Sequence, residues 1–334
     1  MSSLQLFDIG RTISNLGFIT TIIVNIFLIY LTIWRVKRIV GTYRKLVVIS
    51  AQIGLLFSIV DYIIHPYFYS FDNGLIYFSL ENLNGASNLI LDFFLLLYSG
   101  MFSTMVCFMT VQYIYRYMIL NSDPKVKYFK GCRFLIFIGY CLVWGVFHVG
   151  GIWFYGSPDN ESKDYFRETM IEKYNVNIDD ISSFMVVVFT SSNEIRWRSV
   201  LCAGGIVINL TTQYSLMLVI GIRMHLILRH NLNSFSETHR KLQKQFFTTL
   251  VLQISAPSLT FHIPMILILV APYVHLKISF ETGLIIPFFS FYPSIDSVIQ
   301  IFCVTEYRHS MKKLVDDMML TSNDRSAAIQ LRYL

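Results

Sequence analysis

Seven long apolar runs are set apart by polar segments: residues 13–34, 46–64, 88–119, 134–154, 200–227, 246–271 and 282–304. About 20 such residues cross a bilayer as a helix. The pattern therefore predicts an all-α membrane protein, a seven-transmembrane helix bundle over residues 1–313 with a short tail at 314–334. One polar segment is long, from Tyr155 to Arg198. It carries Asp159, Glu161, Asp164, Glu168, Glu172, Asp179, Asp180 and Glu194. Within it, Lys163–Tyr174 has the spacing of a short amphipathic helix. The stretch Phe184–Phe189 (FMVVVF) reads as a strand or lid that packs on the bundle. No internal repeat is visible, as inverted-repeat transporters would require.

Composition agrees with this reading. Charged residues make up 14% and apolar residues 54% of the 334, against about 25% charged in soluble domains. A soluble globule and a disordered chain are both excluded. The net charge of +6 hides a strong asymmetry. Twenty of the 27 Lys and Arg follow the first, third, fifth and seventh runs. They include Arg35, Lys37, Arg38, Arg44, Lys45, Arg116, Lys125, Lys127, Lys130, Arg133, Arg240, Lys241 and Lys244. Arg11, Lys277 and five in the long loop fall on the other side. The positive-inside rule then puts the N-terminus outside and the C-terminus inside. The first eleven residues lack the basic region of a signal peptide.

Catalytic chemistry finds little support. The five Cys have no metal-ligand spacing, and His65, His148 and His262 sit in three different helices. The expectation is no enzyme, no cofactor, no metal and no nucleic-acid partner. Asn160-Glu161-Ser162 is a glycosylation sequon on the expected outer side. A second sequon, at Asn209, lies within the fifth run, out of reach of glycosylation.

The ionisable residues near or within the runs narrow the field. Arg116 closes the third helix in Tyr115-Arg116-Tyr117. Either it is an interfacial cation favoured by the helix dipole, or it is a switch that changes partners between two states. Pro257 and Pro264 interrupt the sixth run and kink it. In the seventh run, Pro293-Ser294-Ile295-Asp296 places Asp296 about 12 Å above the helix end. That carboxyl serves structural hydrogen bonding or switching. Asp61 and Asp92 fall near the outer ends of their helices and read either as rim charges or as binding groups at the mouth of a pocket. One face of the third helix carries Tyr98, Met101, Phe102 and Met105. With His262, these residues either pack the core or line an outer pocket between helices three, five, six and seven.

Four stretches resemble the nematode chemosensory receptors of the Str superfamily, of serpentine receptor class Str or class J type. They are Val40–Leu46 followed by Ser58–Tyr62, Tyr115-Arg116-Tyr117, Arg240–Phe246 with Leu252, Gln253 and Pro257, and Pro293–Asp296 with Ile301, Phe302 and Glu306-Tyr307-Arg308. The resemblance implies a G-protein-coupled receptor for a small odorant or pheromone, coupled to a heterotrimeric G protein. It implies a multi-pass protein of the plasma membrane, in the ciliary membrane of chemosensory neurons. Tyr115, Arg116, Tyr117, Pro257, Pro264, Pro293, Asp296 and Tyr307 would then serve switching and coupling. Departures stand out. Ser297 replaces the usual Pro after Asp296, and Tyr115 stands where rhodopsin-like receptors carry an acid, with Glu237 as the substitute partner for Arg116. The long loop also has no Cys to bridge to helix three. The alternative class is a multipass transporter or ligand-gated channel, which an N-terminus on the inside would favour.

Overall fold

The structure is a computed structural model describing residues 2–36, 41–81, 88–190, 192–230, 237–274 and 284–330. Lys37, Arg38, Val40 and Lys277, used above, lie outside them. The first span is α1 (Ser3–Tyr30), continued by a π turn at Leu31–Arg35. It starts ten residues before the apolar run because Ser2 caps it. Ser2 Oγ accepts from the Gln5 amide, and Gln5 Oε1 accepts from the Ser2 amide. Then come α2 (Thr42–Ile64), the strands β1 (Tyr67–Phe71) and β2 (Gly74–Ser79), and α3 (Asn88–Leu120). The fourth span is α4 (Leu135–Gly156), followed by the polar helix α5 (Asn160–Tyr174) and β3 (Ser182–Val187). The fifth span is α6 (Trp197–His230).

The sixth span is not one helix. α7 (Glu237–Pro257) gives way to a π turn at Ser258–His262 and then to α8 (Ile263–Val270). Pro257 ends the first piece and Pro264 sits in the first turn of the second. There its missing N–H costs least. The seventh span is also divided, into α9 (Ile285–Phe289) and α10 (Tyr292–Cys303), with Pro293 in the first turn of α10. Beyond it, α11 (Thr305–Gln330) continues as helix through most of the expected tail. Six of these spans are long and apolar enough to cross a membrane unaided. The sixth run, broken at its π turn, completes a seven-helix bundle.

Spans one, two and seven meet at a point where small residues let backbones approach. A Cβ on Gly54 would stand 2.7 Å from Pro293 Cβ and 3.0 Å from Asn25 Nδ2. Asn25 donates to the Ala51 carbonyl at 3.3 Å and accepts from Ser297. The residue that replaces a Pro thus ties α10 to α1.

A three-stranded antiparallel sheet, ordered β1-β2-β3, covers one end of the bundle. Tyr67 pairs with Phe78, and Gly74 pairs with Val187. Side chains alternate between its faces. Tyr67, Tyr69, Ile76, Phe78, Met185 and Val187 pack with Phe166, Met170 and Tyr174 of α5. Leu75, Tyr77, Phe184 and Val186 pack with the spans. The sheet lies sandwiched between α5 and the membrane helices. Asp159 caps α5 through Ser162, and Arg196 pairs with Asp159 and with Glu161.

Asp61 corrects an expectation. It lies in the last turn of α2, yet the sheet seals that end and leaves the residue wholly buried. Ser14 of α1 donates to its Oδ2. It is a core carboxyl rather than a rim charge. Asp92 is half-buried.

Candidate functional site

Beneath the sheet lies a cavity of about 120 Å³. Tyr98, Ser99 and Phe102 of α3 form one wall, with His148 and Ile152 of α4. Cys202, Ile206 and Leu210 come from α6. His262 and α8 supply another wall, Ile286 and Phe289 of α9 a further one, and all three strands form the roof. The π turn after Pro257 carries His262 to this wall, where its ring lies 5.3 Å from Phe102 and 6.0 Å from Phe289, centre to centre. The lining is almost wholly apolar and aromatic, as small-molecule sites commonly are. An engineered cavity of about 150 Å³ accommodates benzene, so this one suits a molecule of single-ring size.

Of the five residues expected to line a pocket, Tyr98, Phe102 and His262 do so. Met101 packs at the side of the core. Met105 lines a separate, deeper void of about 10 Å³ together with Ser50, Tyr292 and Asp296, room for about one water molecule. Helix four, β1 and β2 enter the lining without any clear mark in the sequence, whereas β3 coincides with the strand or lid expected at Phe184–Phe189.

From Asp296 a polar chain runs toward the basic end of the bundle. Asp296 is within reach of Gln253 and Ser50, while its Oδ1 has no hydrogen-bond partner among the described residues. Gln253 Nε2 donates to Gln300 Oε1 at 3.2 Å, and Gln300 Nε2 donates to the Tyr43 hydroxyl. The Tyr43 ring lies against Arg116, its centre 3.5 Å from the guanidinium carbon. Phe246 of α7 lies 3.6 Å from the same carbon, and the two rings meet each other edge-on with centres 4.7 Å apart. The cation is 7% exposed. Among the described residues no carboxylate pairs with it, and its Nη2 has no hydrogen-bond partner. Two aromatic rings flank the cation; the side chain of Glu237, the expected substitute acid, lies outside the described residues. Tyr115 packs on Phe129 with centres 4.9 Å apart, and Tyr117 is half-buried. Tyr307 is fully buried, its hydroxyl 3.0 Å from Thr32 Oγ1.

The sixth span makes three further hydrogen bonds at this end. Tyr113 donates to the Leu250 carbonyl at 3.0 Å. Gln245 donates to Thr305 Oγ1 at 2.6 Å and accepts from its amide at 3.3 Å.

The sequence matches the family model described as serpentine type 7TM GPCR chemoreceptor Str across residues 10–312. The chain belongs to the Str family. This is a family of G-protein-coupled chemoreceptors, not of enzymes. The Str receptor is 36% identical to G-protein coupled receptor str-33 of Caenorhabditis elegans, over 93% of this chain and 92% of that one. It is 23% identical to Serpentine receptor class r-10 of Caenorhabditis elegans, over 90% and 89%. Squid rhodopsin superposes with a TM-score of 0.59 at 12% identity, covering 94% of this chain and 87% of its own. That likeness speaks to the fold alone, a rhodopsin-like seven-helix bundle. The Str receptor is accordingly a multi-pass membrane protein.

Asn160 is exposed at the start of α5. The Ser162 hydroxyl of its sequon is buried and engaged with Asp159. Among the described residues no three His, Cys, Asp or Glu come together to hold a metal ion.

Proposed function

We propose that this receptor binds a small, largely apolar odorant or pheromone beneath the sheet and activates a heterotrimeric G protein at the opposite, basic end. The observation that carries this reading is the apolar cavity of about 120 Å³ roofed by β1, β2 and β3. The charge asymmetry supports an outer sheet and a cytoplasmic basic end. The family resemblance supports the plasma membrane, and the ciliary membrane of sensory neurons in particular. Asn160 then faces the lumen during synthesis and is the acceptor for glycan.

Signalling is a population shift. A ligand favours whichever packing of the bundle it binds better. The resting packing holds the sixth span through Phe246 on Arg116, Tyr113 on Leu250 and Gln245 on Thr305. The π turn at Ser258–His262 is where that span yields, since π bulges mark sites of functional change. Swinging α7 away frees Arg116 for the G protein. Pro257, Pro264 and Pro293 set the breaks, and Asp296 and Tyr307 brace the neighbouring helices.

The cavity is tested by filling it. Ile206→Trp, in cells with a calcium readout, is expected to abolish the response to an agonist found by screening, at unchanged surface expression. A full response by that variant would reject the site.

A further inference from the structure

The polar groups at the cavity wall have a fixed direction. Ser103 gives its proton to the Trp144 carbonyl, 3.4 Å away. Its oxygen is left to accept from Asn209, whose Nδ2 lies at 2.7 Å. That orients the Asn209 amide with its nitrogen toward α3 and α4. The same nitrogen stands 3.3 Å from His148 Nδ1. An amide nitrogen only donates, so Nδ1 accepts and the imidazole proton resides on Nε2. A charged ring would set N–H against N–H, so the ring is neutral. His148 Nε2 lies 3.0 Å from Ser99 Oγ and donates to it. Among the described residues the Ser99 hydroxyl makes that one hydrogen bond. Its own proton is left over, on a residue that lines the cavity.

His262 points the same way. Its Nδ1 meets the Tyr214 hydroxyl. A phenol is the stronger donor of the two and an imidazole nitrogen the stronger acceptor, which again puts the ring proton on Nε2. Among the described residues that buried atom has no hydrogen-bond partner. Tyr77, also in the lining, spends its hydroxyl on the Leu95 carbonyl at 3.1 Å. Ser99 and His262 thus keep unspent donors at this wall, while the Tyr98 hydroxyl is within reach of Asp61.

We infer that the cavity selects a neutral molecule carrying a hydrogen-bond acceptor, such as an ether, ester, nitrile or carbonyl compound. Ser99 is the contact that reads it. Asn209 and His148 are positioning residues that keep the Ser99 proton turned toward the ligand. This rests on the reading of the cavity as the ligand site and adds the chemistry of what enters it. A buried donor that meets an apolar isostere stays unpaired, which is the source of the selectivity.

Two isosteric probes test it on the purified full-length receptor in nanodiscs: benzonitrile, which accepts, and phenylacetylene, which has the same shape without a nitrogen acceptor. Wild type is expected to favour benzonitrile. Ser99→Ala is expected to lower the benzonitrile-to-phenylacetylene affinity ratio about fivefold, with phenylacetylene affinity unchanged as the sign of an intact cavity. Asn209→Leu, which releases the His148 tautomer, is expected to lower the same ratio. Equal affinities in wild type, or a ratio unmoved in Ser99→Ala, would overturn the assignment of Ser99 while leaving the cavity as a ligand site. Binding of neither probe would overturn both.

Discussion

The guanidinium carbon of Arg116 lies 3.6 Å from the ring centre of Phe246, across the contact between the third and sixth spans. Tyr43 lies 3.5 Å from the same carbon and meets Phe246 edge-on, so the cation sits in the corner of two π faces away from water. A desolvated contact of this kind is worth about 2 kcal/mol. The lock therefore depends on ring faces rather than on an ion pair.

Phe246→Leu keeps the apolar volume and loses the π face. The variant is expected to raise ligand-independent signalling by up to about thirtyfold, the population shift that about 2 kcal/mol commands. Second-messenger output without agonist measures it. Unchanged basal output would remove Phe246 from the lock. Arg116→Ala is expected to abolish G-protein signalling at normal surface expression, and full signalling by it would argue against the role given to Arg116.

Gly54 has no room for a side chain, because Pro293 and Asn25 occupy the space. Gly54→Val is expected to cost about 1–3 kcal/mol by overpacking, seen as a lower melting temperature of purified receptor. A melting temperature equal to wild type would mean that spans two and seven separate freely.

Asp61 gives a sharper contrast. Asp61→Asn still offers an acceptor to Ser14, whereas Asp61→Ala strands the buried hydroxyl. The Ala variant should be less stable than the Asn variant by about 1–3 kcal/mol, the cost of an unsatisfied buried group. Equal stabilities would show that water replaces the carboxyl.

After β2, Glu81 meets His65 at 3.1 Å and Arg11 at 3.2 Å. His65 beside it is the main cause that holds the Glu81 carboxyl below the usual range. A carboxylate lowered in the folded state stabilises above its unfolded pKa. It loses that contribution as pH falls through the folded value. The latch should thus be intact at pH 7 and fade below about pH 4. Melting curves between these limits should fall by about 0.5–1 kcal/mol more for wild type than for Glu81→Gln. Parallel pH profiles for the two would refute the latch.

Much of this was legible in the residues. Seven apolar runs announce the bundle, and Phe184–Phe189 announces a strand. Tyr98 and Phe102 share the cavity, half of the α3 face that the helical spacing marked, and His262 joins them from the sixth span. What escaped has physical reasons. β1 and β2 are short, and aromatic residues on both faces blur the alternation that marks a strand. Both sides of this sheet are covered, so no polar face exists to reveal it. Distance along α2 placed Asp61 at an end, but distance says nothing of what lies above that end. Arg116 lacks an acid in its own motif, and its ring partners come from Tyr43 and Phe246, far away in sequence. Ser297, which stands in for the usual Pro, is a hydrogen-bond donor to Asn25, a partner that its own motif does not reveal.

The roof of the cavity joins the loop between spans two and three to the loop between spans four and five by main-chain hydrogen bonds. All five cysteines are free thiols. The cap is thus stitched by peptide groups, which no reductant cleaves. A thiol reagent that opens a cross-linked cap would leave this one closed, so its integrity is independent of the redox state of its surroundings.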